Sequence, residues 1–305
     1  MLISKKTVIS IVLLIAFIFI GNSYPLQDKK EKSRSEVIPR HLILPCIDLI
    51  INSDYTGAED YINELKETDD LLNNYLHASV LYSYIIELES SLEFDKFMDF
   101  TEEIINETKK RLEENEDDIT ARFFLGIAHS FRAGVNNVRG KSWAAYRNGK
   151  SAVKELKKCV EQYPDFVEPH LVIGSYKYWL SAKNIFRFLF FVPDNRNEGI
   201  AEIEDNIRES SISYAMSINQ LIWILLDKKD FENAEKYAKL GLEIYPESRL
   251  FQYPAAESAF RLSNYEKAVE LYGKVRESLK SDGLSGRYFW AKITYKQADT
   301  LFESG

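Results

Sequence analysis

Cysteine, histidine, proline and glycine are all scarce in this 305-residue chain, which holds 2 Cys, 4 His, 8 Pro and 13 Gly. Cys46 and Cys159 are too few and too far apart for a disulfide framework or a zinc site. They are predicted to be buried thiols, with a disulfide as the alternative in an oxidising compartment. The low proline and glycine content excludes a linker-rich or low-complexity protein.

Sequence motifs for catalysis are also lacking. The histidines do not form a His-Glu-x-x-His pair, and the chain has no complete Gly-x-Ser-x-Gly turn and no phosphate-binding glycine loop. The carboxylates are abundant but scattered along the chain. The sequence therefore predicts no catalytic residue, no metal site and no bound cofactor, so we expect a protein that is not an enzyme.

A basic excess is absent as well, since the formal net charge is -8. Nucleic-acid-binding domains normally carry a basic face, so this charge argues against a nucleic-acid partner. Hydrophobic residues make up 45% of the chain and charged residues 28%, with little of the alternation that marks strands. These features favour an all-α fold with a sizeable core.

The N-terminus contains the longest apolar stretch, at residues 8–20. It is shorter than the roughly 20 residues that a membrane-spanning helix needs, and small residues follow it at positions 21–23, as in a cleavage site. Residues 1–23 are therefore predicted to be a cleaved signal peptide, or alternatively an uncleaved membrane anchor that associates with the membrane through residues 7–23. The charged segment 24–40 is expected to be a flexible tether.

A repeated pattern of small residues characterises the rest of the chain. If Pro246 closes one unit, Ala234 and Gly241 fall where the two helices of a tetratricopeptide hairpin approach closely. The following unit places Ala256 and Ala268 at the equivalent positions. The chain thus resembles the tetratricopeptide repeat (TPR) family.

The resemblance implies a right-handed superhelix of about six antiparallel helix hairpins across residues 41–305. The clearest repeats are expected at 119–166, 167–214, 215–248 and 249–282, followed by a capping helix at 286–301. Two less regular repeats, one with Cys46 and Ala58 and one with Ser79 and Ile104, are expected before them.

The distance between the two small-residue positions of each hairpin varies along the chain. It is 12 residues from Cys46 to Ala58, but 25 from Ser79 to Ile104 and 26 from Gly126 to Ala152 and from Gly174 to Ile200. The three central hairpins are therefore predicted to be elongated. The extension at 87–96 is expected to be solvated surface, and the glycines and asparagines of the extension at 132–148 predict a broken helix or a loop.

The second and third extensions carry a basic and aromatic excess, because residues 130–200 contain twelve Lys or Arg against six Asp or Glu. Arginine and aromatic side chains are favoured at binding sites. The Phe-rich segment 185–193 is expected either to be exposed for interaction or to pack between the elongated hairpins. Candidate partner-binding residues in this region are Arg132, Arg139, Trp143, Tyr146, Arg147, Tyr178, Trp179, Phe186, Arg187, Phe190 and Phe191.

Aromatic residues are also predicted on the inner face of the superhelix, at Phe123, Phe131, Tyr178, Trp179, Trp223 and Tyr253. Trp223 and Tyr253 complete the set of candidate partner-binding residues. An aromatic groove suits an extended peptide or a ring-bearing ligand, including a sugar. Alternatively, the extensions and the capping helix fill the groove with these side chains.

A second resemblance concerns the segments 174–181 and 190–200, together with Arg132-Ala133 and 146–149. They are similar to segments of exported bacterial TPR proteins. This similarity implies a periplasmic protein, or a membrane-anchored one facing the periplasm, and it brings no catalytic residue and no ligand. We therefore expect a non-catalytic scaffold that binds a protein or peptide partner in the cell envelope. The alternatives are a ligand- or carbohydrate-binding accessory protein and, less favoured, a hydrolase; the oligomeric state stays open.

Overall fold

A computed structural model describes residues 37–65, 69–182, 193–210 and 212–304, and in these residues it contains thirteen α-helices and no strand. The predicted all-α fold is thereby confirmed. The helices are α1 (Arg40–Ile51), α2 (Tyr55–Glu64), α3 (Asp70–Leu88), α4 (Phe94–Glu114), α5 (Ile119–Val138), α6 (Ser142–Gln162), α7 (Pro169–Ala182), α8 (Arg196–Glu209), α9 (Tyr214–Asp227), α10 (Phe231–Ile244), α11 (Arg249–Arg261), α12 (Tyr265–Ser281) and α13 (Tyr288–Glu303).

All thirteen helices belong to one compact unit, residues 39–305. Within the described ranges, no helix combines the length and the apolar character that crossing a bilayer requires. The predicted signal or anchor and most of the charged tether lie outside these ranges. So do Phe186, Arg187, Phe190 and Phe191 of the Phe-rich segment.

Local sequence explains where several helices begin. In five of them an Asp or Asn side chain just before the first turn accepts a hydrogen bond from a backbone N–H of that turn, which satisfies one of the donors that a helix start leaves free. These capping residues are Asp54 for α2, Asp69 for α3, Asp118 for α5, Asp230 for α10 and Asn264 for α12.

Helices α5 and α6 run antiparallel and pack closely. Arg122 Nη1 lies 2.8 Å from Glu155 Oε2, and His129 Nδ1 lies 3.3 Å from Asn148 Oδ1, so residue numbers rise along one helix as they fall along the other. Between these two contacts, a Cβ added to Gly126 would lie 2.6 Å from the Leu156 side chain. The predicted small position therefore allows the two helices to approach.

Helices α7 and α8 approach even more closely, backbone to backbone. A Cβ on Gly174 would lie 2.5 Å from the carbonyl oxygen of Gly199, and a Cβ on Gly199 would lie 2.6 Å from that of Gly174. Only glycine fits such a crossing. The second small position is thus Gly199, one residue before the predicted Ile200.

An ion-pair cluster holds the same two helices together near their middle. Glu202 on α8 contacts His170 and accepts a hydrogen bond of 2.8 Å from Lys177 Nζ on α7. Burial alone would raise the pKa of Glu202, but the hydrogen bonds from His170 and Lys177 outweigh it and lower the pKa from its ordinary 4.5 to about 2.

Helices α3 to α6 are the longest of the described helices, with 19 to 21 residues each. The other nine have 10 to 17 residues. The extra residues extend both helices of each pair by about two turns at 1.5 Å per residue. Part of the third extension, residues 183–192, lies outside the described ranges.

The break predicted within 132–148 lies at residues 139–141, between α5 and α6, and not at Gly134 or Asn136-Asn137. Helix α5 continues through Gly134 to Val138, and α6 begins four residues later. A Cβ on Gly134 would lie 2.8 Å from the Tyr82 ring, so this glycine makes room for an aromatic neighbour and does not end the helix. The turn is made by Gly140, whose φ of 71° glycine adopts without steric cost.

Candidate functional site

The two ends of the helical array meet, although about 200 residues separate them in the chain. The Ser248 hydroxyl donates a hydrogen bond of 2.5 Å to the carbonyl of Ile51, and the Tyr245 hydroxyl donates one of 3.1 Å to the Asp48 carboxylate. Ile51 belongs to the same buried apolar cluster as Phe251 and other residues of α9 to α13. Helix α1 therefore packs against the segment that connects α10 to α11.

A buried arginine lies at the centre of this junction. The Arg249 side chain is 1% exposed, and its Nε donates to Glu87 Oε1 at 2.5 Å. Its Nη1 donates to Ser278 Oγ at 2.8 Å and to the Asp282 carboxylate, and its Nη2 approaches the carbonyl of Ser53 at 3.4 Å. We call the group of Ser53, Tyr55, Glu87, Arg249 and Asp282 the clasp.

The second carboxylate oxygen of Glu87 is also occupied. It accepts hydrogen bonds from the Ser53 hydroxyl at 3.1 Å and from the Tyr55 hydroxyl. Burial, followed by the negative charge of Glu87, raises the pKa of Tyr55 well above its ordinary value, so this hydroxyl stays a donor. The clasp thus joins α2 and the C-terminal end of α3 to α11 and α12.

Residues 89–96 are exposed or half-buried, in agreement with the predicted solvated surface at 87–96, but the Glu87 side chain is only 10% exposed within the clasp. The exposed Glu89 forms an ion pair of 2.5 Å with Lys292 on α13. Both partners come from the opposite end of the chain, so nothing in the neighbouring sequence indicates these contacts.

A cavity of about 730 Å³ lies inside this closed arrangement. Its volume is within the range typical of small-molecule sites. The wall is formed mainly by residues of the odd-numbered helices. Aromatic residues in the wall are Tyr55, Tyr75, Tyr82, Phe123, Phe131, Tyr146, Tyr176, Trp179, Trp223, Tyr253 and Phe289.

Several of these rings contact one another, which leaves their remaining faces to line the cavity. The Trp223 and Tyr253 ring centroids are 5.5 Å apart, and the Tyr253 and Phe289 rings meet edge to face at 5.4 Å. Across the wall, Tyr82 and Phe131 stack at 4.5 Å. Such contacts restrict ring motion, so the wall is organised before any ligand arrives.

The capping helix α13 takes part in the wall without filling the cavity. Phe289 and Lys292 both line it, and Lys292 Nζ lies 5.5 Å from the centroid of the Tyr253 ring. Burial raises the pKa of Tyr253 to about 12. The capping helix α13 therefore does not fill the groove; it forms one side of the cavity.

The acidic residues of the wall each contact a basic side chain. Glu87 pairs with Arg249 and Glu89 with Lys292, as described above, and Glu168 lies 2.5 Å from Arg40. No two of these carboxylates are joined as an acid–base pair. In the described ranges, no group of three or more His, Cys, Asp or Glu side chains is arranged to hold a metal ion.

The predicted groove residues divide between the cavity and the core. Phe123, Phe131, Trp179, Trp223 and Tyr253 line the cavity. Tyr178 is instead fully buried, and its hydroxyl donates to the Asp227 carboxylate at 2.7 Å. Consecutive helical residues point about 100° apart, and here that rotation turns Tyr178 into the core while Trp179 lines the cavity.

The predicted basic residues of the second extension have different surroundings. Arg132 donates to Thr101 Oγ1 at 2.8 Å and forms an ion pair of 2.7 Å with Glu102, so it braces α5 against α4. Arg139 lies over the Phe94 ring with its guanidinium carbon 3.5 Å from the centroid, a cation–π contact. Both arginines therefore pack the C-terminal end of α5 against α4.

The remaining predicted residues lie around the start of α6. Trp143 is 62% exposed, with its ring 5.4 Å from that of Tyr146. Tyr146 lines the cavity, whereas Arg147 is exposed on the outside. This helix therefore carries aromatic residues both on its outer surface and towards the cavity.

The two cysteines are buried and free, as the first of the two alternatives predicts. Burial raises the pKa of the Cys46 and Cys159 thiols to about 12 in both cases. Both thiols therefore stay protonated and are weak nucleophiles at neutral pH.

The clasp and the tyrosines of α3 are the site residues that sequence reasoning missed. Tyr75 and Tyr82 lie seven residues apart on one face of α3, a spacing that could have indicated a shared surface. The Glu87–Arg249 pair has no comparable local signal. No family model and no curated protein matches this chain.

Proposed function

We propose that this chain is a non-catalytic, TPR-like helical-repeat protein that holds a ligand with a flat apolar or aromatic group in its central cavity. The observation that carries the proposal is the concentration of aromatic side chains around one space of ligand size. Aromatic walls with a few polar groups are the usual composition of small-molecule sites.

The arrangement of the helices supports the TPR-like part of the proposal. Most of the cavity wall comes from α1, α3, α5, α7, α9 and α11, which are the first helices of the six predicted hairpins, and from the cap α13; residues of α6 and Tyr55 of α2 complete it. A TPR superhelix presents the first helix of each hairpin on its inner face. We therefore infer a right-handed superhelix of about six hairpins whose ends have come together at the clasp.

The charges of the wall narrow the class of ligand. Glu87, Glu89 and Glu168 are each neutralised by a basic partner, so the wall offers little attraction to a strongly charged ligand. Stacking on Trp179, Trp223 or Tyr253 favours a planar face. The proposed ligand is thus an uncharged ring-bearing molecule, and a sugar, which also stacks on aromatic rings, is the nearest alternative.

The proposed location is the bacterial cell envelope. The support is sequence alone: the apolar run at 8–20 and the small residues at 21–23 favour export. The protein would be periplasmic, or anchored to the membrane and facing the periplasm.

Titration with N-phenyl-1-naphthylamine, an uncharged fluorescent aromatic probe, tests the cavity. We expect probe fluorescence to rise on binding to the wild-type protein. Ser175 lines the wall on α7, so Ser175→Trp places a bulky ring in the cavity and should weaken probe binding by at least tenfold. The matched control is Ser281→Trp, on an exposed position at the end of α12, which should bind the probe like the wild type.

The thermal midpoint of each variant shows whether a loss of binding reflects unfolding. A folded Ser175→Trp variant that binds as well as the wild type would place the probe elsewhere and contradict the proposal. So would a wild-type protein that binds no probe. If only an oligosaccharide competes with the probe, the ligand is a carbohydrate.

A second candidate function is capture of a protein or peptide partner on the outer surface, which we expected first from the sequence. The observation in its favour is the exposed Trp143 beside the exposed Arg147. Substituting both by alanine should abolish partner capture from envelope extracts while probe binding in the cavity is unchanged. Capture that survives this change would contradict the second candidate.

A further inference from the structure

The outer face of α6 is basic over most of its length. Its exposed members follow one another at intervals of four and three residues, so they form one stripe along the helix. They are Trp143, Arg147, Lys150, Lys154 and Lys157, and the exposed Lys158 lies beside the last of them. At 1.5 Å per residue, the stripe from Trp143 to Lys157 is about 21 Å long. We call these six residues the basic face.

The opposite side of α6 is buried, which fixes the direction of the basic face. Ala152 and Leu156 are buried where α6 crosses Gly126 of α5. Gly149 is buried as well and lies against the Tyr176 ring of α7. At about 100° per residue, these positions are on the far side of the helix from the stripe. The basic face therefore points to solvent.

The cations of the basic face have few anionic partners. Lys154 and Lys158 approach Glu155 only at 3.4 and 3.9 Å, and Glu155 already accepts a hydrogen bond of 2.8 Å from Arg122. The three other cations form no ion pair with any residue that the structure describes. The second carboxylate of the helix, Glu161, is exposed one turn beyond Lys157. Most of the positive charge is thus available to an external partner.

The positive charge is also confined to this part of the chain. Residues 139–162 contain seven Lys or Arg against two Glu, a net of +5 in a chain of net charge -8, so the remainder carries -13. The local charge decides which side of a protein faces an anionic partner, because the acidic surfaces are repelled. An anionic partner is therefore expected on the side of α6.

The composition of the basic face favours a lipid partner over a protein partner. Four of its five cations are lysines. Lysine is depleted at protein interfaces, where arginine is enriched, whereas clusters of about four to eight Lys or Arg are typical of segments that bind anionic lipid headgroups. Trp143 at one end of the face is 62% exposed, and tryptophan is enriched at membrane–water interfaces.

We propose that the basic face docks this protein on the surface of an anionic phospholipid membrane, with Trp143 at the level of the headgroups. The inference rests on the proposed location in the cell envelope, where such a surface is in reach. Each lysine near an anionic membrane strengthens binding roughly fivefold. This attraction acts over several ångströms and does not require the large buried area of a protein–protein interface.

Co-sedimentation of the full chain with vesicles tests the proposal. Vesicles of phosphatidylcholine alone are compared with vesicles that contain about one third phosphatidylglycerol. The wild type should bind the anionic vesicles more tightly, and added salt should remove the difference. If residues 7–23 also bind membranes, they do so with both kinds of vesicle and in every variant. The difference between the two kinds of vesicle therefore reports on the basic face.

A charge-matched pair of variants assigns the binding to α6. The triple change Lys150→Gln, Lys154→Gln and Lys157→Gln should weaken binding to anionic vesicles roughly a hundredfold. The control is the triple change Lys228→Gln, Lys236→Gln and Lys239→Gln, which removes the same charge from exposed lysines at α9 and α10. The control should bind like the wild type.

Vesicles with brominated lipid chains test the position of Trp143, because bromine quenches tryptophan fluorescence on contact. Trp143 is exposed, whereas the other three tryptophans are half-buried. Bound wild type should be quenched, and bound Trp143→Phe should not. Without vesicles, binding of N-phenyl-1-naphthylamine in the cavity should be the same in the lysine variants as in the wild type. A failure of the cavity proposal is thereby distinguished from a failure of this one.

Four outcomes would overturn the proposal. The wild type binds both kinds of vesicle equally, or the triple change on α6 leaves binding to anionic vesicles intact. Bound wild type is not quenched, which would place another surface on the membrane. Finally, the wild type ignores vesicles but retains an acidic envelope protein through the same lysines, which would assign the face to a protein partner, as in the second candidate function.

Discussion

Removal of Arg249 should destabilise the closed arrangement of helices. Arg249→Met keeps much of the side-chain volume but withdraws the positive charge from Glu87, whose side chain is only 10% exposed. The variant also removes the link to Asp282 and Ser278 on α12. A buried carboxylate is then left without its cationic partner.

The magnitude follows from the environment of Glu87. Deleting one partner of a buried ion pair typically costs about 3–5 kcal/mol. The hydroxyls of Ser53 and Tyr55 still donate to Glu87 in the variant, so we expect the lower end, about 3 kcal/mol. For a domain of this size, such a loss lowers the thermal midpoint by roughly 6–12 °C.

Urea and thermal unfolding measured by circular dichroism provide the assay. Arg276→Met is the matched control, because Arg276 pairs on the surface with its neighbour Glu277 and should cost less than about 0.5 kcal/mol. The double variant Glu87→Met/Arg249→Met should recover part of the loss, since the only charge that it leaves without its partner is Asp282, whose side chain is 40% exposed and stays hydrated. Hydrogen exchange should show faster opening of α1 and α2 in Arg249→Met.

The reasoning is refuted if Arg249→Met unfolds within 1 kcal/mol of the wild type, or if the double variant is less stable than Arg249→Met. In the first case the clasp does not hold the ends together. In the second case the hydrogen bonds to Ser53 and Tyr55, and not the ion pair, provide the stabilisation.

Two further predictions concern single contacts. Gly241→Ala places a methyl group against the Phe251 ring and should lower the free energy of unfolding, measured by chemical denaturation, by about 1–3 kcal/mol. In the control Gly273→Ala the methyl group meets only the end of a flexible side chain, so this variant should be neutral or slightly stabilising. Equal effects of the two substitutions would contradict the packing argument. Because the pKa of Glu202 is lowered to about 2, its contribution is fully present above pH 4.5 and is lost as the pH falls towards 2. Glu202→Gln should therefore cost about 1–2 kcal/mol at pH 7, after allowance for solvent screening, and much less at pH 2, where Glu202 is half protonated; an acid-unfolding series of both proteins measures the difference.

The parts of the fold that sequence predicted are those that depend on local chemistry. The close crossing of α5 and α6 follows from Gly126 in a helix otherwise rich in large apolar residues. The elongation of α3 to α6 followed from a count of residues between small positions.

Two site features needed tertiary structure. Whether Tyr178 or Trp179 faces the cavity depends on the rotation of α7 about its axis, and the sequence offers two adjacent aromatics with no means of choosing between them. Gly134 was interpreted as a helix breaker, because its packing partner Tyr82 comes from another hairpin. In both cases the deciding contact lies outside the local segment.

By itself, the sequence determined that this protein is helical and which of its helices are long. These properties depend on hydrogen bonds and side-chain volumes within a few turns of helix. Only the tertiary structure decided that the two ends of the array meet, since Glu87 and Arg249 are 162 residues apart. That closure depends on the sum of small rotations between successive helices, which cannot be determined from any single segment. It converts a row of inward-facing aromatic residues into a cavity.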